Sequence, residues 1–317
     1  AGVIVIRGGD PFVSVIQLCQ QTSAYRNSHP PLRASLVAEK ARRSISESVE
    51  GTDTGDFRLF DWGQLVLAAS IFGSAFLWIA LALRSIDPGA IAFGRVALGA
   101  AALAVLPKAR RSVARVDRPR LIFAAFFGMA APALLFALAE ERIPSALAGM
   151  LISAVPIFAA ALVAAATRTW PSRRRLTGLA VGFLGILLLT APDLGGSEAE
   201  MTGVFMVLGA VLAYAVASML YAPLQQTYGS LPVTMWLLIV STVMLSPLGI
   251  IGLTQSSAES LPLASLLILG VIGSGAAWAM WVGLIGRVGA VRAATAGYII
   301  PIIALVLGVV ALDEHIE

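Results

Sequence analysis

The feature that most constrains this chain is a series of long apolar runs that begins at Trp62 and continues almost to the last residue. A bilayer core of about 30 Å needs roughly 20 apolar residues per spanning helix. Runs of this kind lie near residues 62–83, 89–107, 120–139, 144–166, 175–191, 202–223, 232–253, 262–285 and 290–312. Only 13% of all residues are charged, whereas soluble domains are about a quarter charged. The sequence therefore predicts an all-α, polytopic membrane protein with nine spans, embedded in a lipid bilayer.

Residues 1–60 differ from everything that follows. They are rich in Ser, Arg, Glu, Pro and Gly and show no sustained hydrophobic period. Such a composition is typical of a disordered segment. We therefore divide the chain into a disordered tail (1–60), a first helical unit (61–191) and a second helical unit (202–317).

The basic residues predict the orientation of the helices. With the tail inside the cell, the loops on the inner side contain twelve Lys and Arg residues, and those on the outer side contain only Arg84 and Arg142. Short cytoplasmic loops are enriched in Lys and Arg. We expect a multi-pass protein of the cytoplasmic (inner) membrane with a cytoplasmic N-terminus.

The chain also contains an internal repeat. Shifting the sequence by 145 residues places residues 126–162 over 271–307, with matches between Gly128 and Gly273, Arg142 and Arg287, and Pro156 and Pro301. The third predicted helix thus pairs with the eighth, and the fourth with the ninth, so that each unit contains five helices. Because five is an odd number, the second unit is predicted to be inverted, and its tenth helix to be missing from this chain. Inverted repeats with matching interrupted helices indicate a secondary transporter.

Four segments give this pattern a family resemblance: "GSAFLWIALAL" (73–83), "FGRVALGAAALAVLP" (93–107), "IPSALAGMLISAVPIFAAAL" (143–162) and "GRVGAVRAATAGYIIPIIALVLGVVALDE" (286–314). Their order resembles the EamA-like branch of the drug/metabolite transporter superfamily over residues 62–317. The resemblance implies two inverted five-helix units and movement of a small metabolite or drug by alternating access. The family also has a Glu after the fourth and the ninth helix. Glu314 fits the second position, but Thr169 occupies the first.

Arg95 is the one charged residue well inside a predicted span. An intramembrane charge is costly and is by default a functional candidate, so we interpret Arg95 as a contact for an anionic group of the substrate. The alternative is an Arg whose stem packs against apolar groups while its head reaches the interface.

The remaining candidates are aromatic or helix-breaking. Most Trp and Tyr in membrane proteins lie near the interfaces, but several lie deeper here and are candidates for a substrate cavity: Trp78, Tyr214, Trp278, Trp281 and Tyr298. Helix packing is the alternative for each of them. Pro156 and Pro301 are candidate hinges or static kinks.

The chain ends in "ALDEHIE", where Asp313, Glu314, His315 and Glu317 look like metal ligands. Through the repeat they become an outer loop that precedes the missing helix, so we expect no metal site.

We also expect no catalytic residue, cofactor or nucleic acid partner. The sequence predicts a non-enzymatic secondary transporter of a small organic metabolite or drug, amino-acid-like solutes included. The alternatives are a truncated, non-transporting fragment or assembly subunit and, less favoured, a membrane enzyme. The oligomeric state is not predicted.

Overall fold

The computed structural model of the chain describes residues 58–167, 177, 178, 181, 184, 185, 197–257 and 259–314. In these residues the regular structure is helical throughout, without a strand. The long helices are numbered in chain order as α1 (Leu59–Ala82), α2 (Pro88–Ala104), α3 (Arg115–Glu140), α4 (Ser145–Leu151, continued by Ile152–Ala154 and Val155–Thr167), α5 (Glu198–Tyr228), α6 (Ser230–Gln255), α7 (Ser260–Val288) and α8 (Ala294–Leu312).

Seven of these helices are long and apolar enough to cross a membrane, and α2 is apolar but has 17 residues. That length is near the lower limit for a spanning helix. Eight of the nine predicted spans thus coincide with helices, which confirms a multi-pass, all-α architecture. The predicted fifth span (175–191) and the predicted disordered tail lie almost entirely outside the described residues.

Successive helices run in opposite directions from α1 to α4 and again from α5 to α8, so that their turns gather at two ends of the bundle. One end, here called the Glu314 end, contains the turns at 83–87, 141–144 and 256–259 together with Glu314. The other, here called the Arg287 end, contains the turn at 105–114, Gly229 and Arg287. Hydrogen bonds between distant turns hold each end together, as from Ser257 N–H to the carbonyl of Ser85 (2.8 Å).

Local sequence signals explain where the helices begin and end. Asp87 caps α2 by accepting a hydrogen bond from Gly89 N–H at 2.8 Å, and Pro88 occupies the first helical turn, where its missing N–H costs nothing. Ser197 and Glu200 form a reciprocal capping box at the start of α5. The helix α5 ends at Gly229, whose φ of +85° is accessible to glycine without strain.

Four of the helices contain an irregular segment, which lies in the middle of α3, α4 and α7 and at the start of α8. In α3 and α7 the backbone widens into π-helical segments at Phe126–Ala130 and Leu269–Ala277. In α4 and α8 it tightens into 3₁₀ segments at Ile152–Ala154 and Ala294–Tyr298, just before Pro156 and Pro301. A proline cannot donate to the carbonyl four residues earlier. In α4 a shorter bond, from Val155 N–H to the carbonyl of Ile152, takes its place.

Candidate functional site

A cavity lies between the helices, and residues of seven of the eight long helices line it. Its empty volume is about 830 Å³, which includes the part open to solvent. Pockets for small organic molecules are mostly apolar with a few polar groups. The largest lining side chains are aromatic: Phe72, Phe76, Phe136, Tyr214, Tyr221, Trp278 and Trp281.

These rings form a continuous wall. Phe72 contacts Trp278 and Trp281 edge-on, with ring centroids 5.4 and 5.9 Å apart. From Trp278 the series continues to Tyr214 at 5.5 Å, and from Tyr214 to Phe136 at 5.9 Å. Aromatic pairs at such distances add stabilisation beyond the area they bury. The wall therefore presents a preformed, stiff aromatic surface to a solute.

The two proline-broken helices form another side of the cavity. Ile152 and Val155 from α4 lie there, as do Gly297 and Ile300 from α8. At Gly297 the two helices come so close that a Cβ atom would lie 3.4 Å from Cδ of Pro156. The irregular backbones of both helices thus meet at the cavity. In membrane proteins such backbone is tolerated where it is buried in protein or lines a cavity.

Among the residues that the structure describes, Arg95 is the one charged residue that lines the cavity. Its helix α2 packs closely on the π-helical segment of α7, because Gly99 lies against the backbone of Gly270 and Gly275. Small residues allow membrane helices to approach in this way. This contact places Arg95, which is 6% exposed, next to Ser274. Arg95 Nε donates a hydrogen bond to Ser274 Oγ at 3.1 Å.

The guanidinium group retains further binding capacity. It has five N–H donors in a planar fork, a geometry that matches a carboxylate. Within the described part of the chain, the only hydrogen bond of Arg95 is the one from Nε to Ser274. The two terminal nitrogens are thus available to an anionic group in the cavity.

At the Glu314 end, the start of α4 contacts the residues that follow α8. The carboxylate of Glu314 accepts hydrogen bonds from Ser145 N–H and Ala146 N–H, each at 2.9 Å. These are free donors of the first turn of α4, where the helix dipole also favours a negative charge. Asp313, in the left-handed conformation (φ +54°), turns the chain so that Glu314 reaches them. We call this contact the Glu314 clamp.

The sequence matches the model of the EamA-like transporter family over residues 63–191 and 201–317. These two segments cover most of the chain and both helical units. The chain belongs to the EamA-like transporter family. Two curated relatives agree with this membership: an uncharacterized transporter of Archaeoglobus fulgidus, 26% identical over 59% of this chain, and the uncharacterized transporter YdfC of Bacillus subtilis, 27% identical over 52% of this chain.

The matched segments cover 66% and 55% of these relatives' own lengths, which is less than two thirds of each. Family membership and the apolar helices together establish a multi-pass membrane protein.

The candidates from the sequence divide into two groups in this family member. Arg95, Tyr214, Trp278 and Trp281 line the cavity. Whether they contact a substrate stays a prediction.

Trp78 and Tyr298 are not among the lining residues. Trp78 packs against the core from a position roughly 110° around α1 from the face that contains Phe72, Phe76 and Ile79. Tyr298 follows Gly297, which lines the cavity, and its side chain is turned away and 50% exposed. The alternative given for both residues, helix packing, accounts for the position of Trp78.

Sequence reasoning passed over the phenylalanines of the wall. A cavity-lining Phe72 cannot be distinguished by residue type from Phe123, which is 61% exposed. Two signals were present nevertheless. Phe72 and Phe76 are four residues apart and therefore share a helix face, and Phe136 matches Trp281 in the internal repeat.

Two residues of the terminal acidic cluster have positions that the sequence did not predict. Glu314 belongs to the clamp, Asp313 provides the turn, and His315 and Glu317 lie outside the described residues. In the described part of the chain, no group of three or more His, Cys, Asp or Glu residues is arranged to hold a metal ion.

Proposed function

We propose that this chain is a secondary transporter that carries a small organic solute across the cytoplasmic membrane through the aromatic cavity, by alternating access between two inverted five-helix units. One observation supports this most strongly: a largely apolar cavity with a single arginine lies where two proline-broken helices meet. Transporters of this design place their solute sites near the midplane, at discontinuous helices between the repeats.

The irregular backbone segments support the repeat. The π-helical segment of α3 (Phe126–Ala130), moved by 145 residues, falls within that of α7 (Leu269–Ala277). The 3₁₀ segment of α4, moved likewise, overlaps the end of that of α8 and is followed by the matching proline. Matching irregularities in helices of opposite direction are what an inverted duplication of one helical unit predicts.

The solute that fits this cavity has an anionic group and an apolar body. The aromatic wall buries apolar surface, and Arg95 provides the terminal N–H donors for a carboxylate. An amino-acid-like solute with an aromatic or aliphatic side chain has this combination. The positive-inside rule assigns the Arg287 end to the cytoplasm and the Glu314 end to the outside.

Binding of two matched probes tests the site. L-phenylalanine has a carboxylate, and phenethylamine is the same molecule without it. With the purified full chain in nanodiscs, isothermal titration calorimetry should show that Arg95→Gln weakens L-phenylalanine binding about 10- to 150-fold, since a hydrogen bond to a charged group contributes about 1.5–3 kcal/mol. Binding of phenethylamine, which lacks the carboxylate, should not be weakened. Arg84→Gln, at an exposed arginine of the Glu314 end, is the matched control.

Transport is tested in proteoliposomes with labelled L-phenylalanine and L-leucine. Phe72→Ala, in the cavity wall, should abolish most of the flux, whereas Phe123→Ala, at an exposed phenylalanine, should not. Full flux in both Phe72→Ala and Arg95→Gln refutes the proposed site. If the parent chain is correctly reconstituted and shows no flux of either solute, the proposal that it transports them is refuted, and a non-transporting role is favoured.

A further inference from the structure

A short segment at the Arg287 end has a high density of positive charge. Residues 108–118, here called the basic segment, run from the loop after α2 into the first turn of α3. They contain one acid, Asp117, and five exposed basic residues: Lys108, Arg110, Arg111, Arg115 and Arg118. None of the five lines the cavity, so the proposed transport site does not explain them.

The basic segment is fixed to the helix bundle by its own contacts. Val113 is 5% exposed and belongs to the hydrophobic core. Trp236 of α6 donates a hydrogen bond from Nε1 to the carbonyl of Arg111 at 2.9 Å. At the end of α5, the Tyr228 hydroxyl donates to the carboxylate of Asp117. The basic side chains therefore start from fixed backbone positions.

Most of these charges are not neutralised by the protein. Four of the five side chains form no ion pair or hydrogen bond with any residue that the structure describes: Lys108, Arg111, Arg115 and Arg118. Arg110 donates from Nε to the carbonyl of Ala104 at 2.6 Å and so caps the end of α2. Like charges that are held close together repel each other, and a bound anion relieves this repulsion.

The exposed face of α3 continues from the basic segment into an apolar surface. Arg118, Ile122 and Phe126 are spaced four residues apart and therefore lie along one side of the helix. Arg118 is exposed, and Ile122 and Phe126 are each 46% exposed. At the rise of an α-helix, this row spans about 12 Å. One face thus presents a cation at the end of a membrane-spanning helix and apolar side chains further along it.

These two features match the two parts of an anionic phospholipid. A guanidinium group binds phosphate oxygens through parallel N–H donors, and basic clusters next to spanning helices attract anionic lipids. Trp236, which is bonded to the basic segment, is a residue type that is enriched where spanning helices meet the headgroups. A soluble phosphate would use only the charge and a neutral lipid only the apolar face, so the combination favours an anionic lipid.

The Glu314 end differs in this respect. In the described residues, its turns contain two basic side chains, Arg84 and Arg142. Arg142 donates to the carbonyl of Leu138 and lies 3.4 Å from Glu141. An anionic headgroup therefore finds a cluster of unpaired cations at the Arg287 end and not in the described turns of the Glu314 end.

We propose that the basic segment and the adjoining face of α3 form a binding site for an anionic phospholipid of the leaflet at the Arg287 end. The phosphate and headgroup contact Arg115 and Arg118, and one acyl chain lies along Ile122 and Phe126. The site is separate from the cavity and exists whether or not the chain transports a solute.

Fluorescence quenching by brominated lipids tests this site. In the full chain, Cys19 is replaced by Ser, and Phe123→Cys, at a position of α3 that is 61% exposed, provides a single thiol for a bimane label. Leu67→Cys, at a position of α1 that is 52% exposed, is the matched control. Both proteins are placed in phosphatidylcholine vesicles that contain the same fraction of brominated phosphatidylglycerol or brominated phosphatidylcholine.

The label at Phe123→Cys should report a preference for the anionic lipid. Its apparent association constant for phosphatidylglycerol should exceed that for phosphatidylcholine about 5- to 30-fold, since each nearby Lys or Arg contributes about a fivefold preference. At Leu67→Cys the two constants should agree within twofold. Combining Arg115→Gln and Arg118→Gln should remove the preference, and the corresponding Lys substitutions should retain most of it. Arg84→Gln, at the other end, should not change it.

Several results would overturn the site. These are equal quenching by the two lipids at Phe123→Cys, an equally large preference at Leu67→Cys, and a preference that persists in the double Gln variant. Inorganic phosphate, added at constant ionic strength, should leave the preference intact; its loss would show that the segment binds free phosphate instead of a lipid. Quenching by brominated phosphatidylcholine should be the same in the parent chain and the double Gln variant, which confirms that α3 still faces the lipid.

Discussion

The Glu314 clamp offers the sharpest test of how this protein opens. Glu314 accepts two hydrogen bonds of 2.9 Å from the first turn of α4, one on each carboxylate oxygen. Hydrogen bonds to charged groups contribute about 1.5–3 kcal/mol each, and because Glu314 is only half-buried we take a total of about 2–3 kcal/mol for the pair. Replacement of Glu314 by Ala removes both bonds and leaves the N–H donors of Ser145 and Ala146 to water.

If the clamp holds the Glu314 end closed, its loss shifts the equilibrium between closed and open states. Since about 1.4 kcal/mol corresponds to a factor of ten, Glu314→Ala should raise the ratio of open to closed molecules about 30- to 150-fold. Glu314→Gln retains one acceptor oxygen and should give an intermediate increase. The effect on overall folding should be smaller, because the open state keeps its helices.

Thiol labelling measures this ratio. The chain has a single cysteine, Cys19, which is replaced by Ser, and a new cysteine is introduced at Ala148, a fully buried position one turn into α4. When opening is rapid compared with reaction, the labelling rate with a membrane-impermeant reagent is proportional to the open fraction. Glu259→Ala, at an exposed acid of the same end, is the matched control. A labelling rate of Glu314→Ala within twofold of that of the parent chain would show that Glu314 only caps the start of α4.

Two further predictions concern packing and charge, and thermal unfolding in detergent measures both. Gly128→Ala should destabilise the protein by about 1–3 kcal/mol, because the new methyl group overlaps the Tyr221 hydroxyl. Tyr221→Phe should restore only part of the loss, since the ring carbon Cζ stays 2.6 Å from the new methyl group. Gly63→Ala, with open space around it, should be neutral or stabilising. Arg287 donates to Asp61 at 2.9 Å, and Asp61 is the more buried partner. Arg287→Gln should therefore destabilise more than Asp61→Asn, since only the first leaves a buried charge unpaired; equal losses would contradict this.

The helices and part of the site could be predicted from sequence for clear physical reasons. A lipid environment allows few structures besides helices. The lengths of the apolar runs in the sequence were therefore enough to predict the positions of the eight long helices. Arg95 was predicted as a site residue because a charge inside the membrane is too costly to be retained without use. The structure places it in the cavity, although neither its partner Ser274 nor the close approach at Gly99 follows from periodicity.

The acidic residues show where sequence reasoning stops. Glu140 and Glu141 are adjacent, and nothing in the sequence separates them, yet one has buried oxygens and the other is exposed. Glu314 and Ser145 are 169 positions apart, so their contact depends on how α4 and α8 pack. The internal repeat does not predict such side-chain contacts either.

The matched arginines illustrate that limit. Arg142 and Arg287 occupy equivalent positions in the repeat, but Arg142 bonds to a carbonyl of its own helix and Arg287 to Asp61 of α1. A duplicated sequence predicts equivalent backbone positions more reliably than equivalent partners.

This difference between the two ends has a consequence for the transport cycle. A carrier must pass between two states of similar free energy, because a change of about 5.5 kcal/mol in their free-energy difference moves the population from almost all of one state to almost all of the other. The Glu314 clamp consists of two backbone donors on one carboxylate, and the Arg287 end is held by Asp61 and by a hydrogen bond from Tyr228 to Asp117. Both ends thus contain charge-assisted bonds of about 1.5–3 kcal/mol each. At both ends the acceptor is a carboxylate, and closures of this size can be broken one at a time when a solute binds.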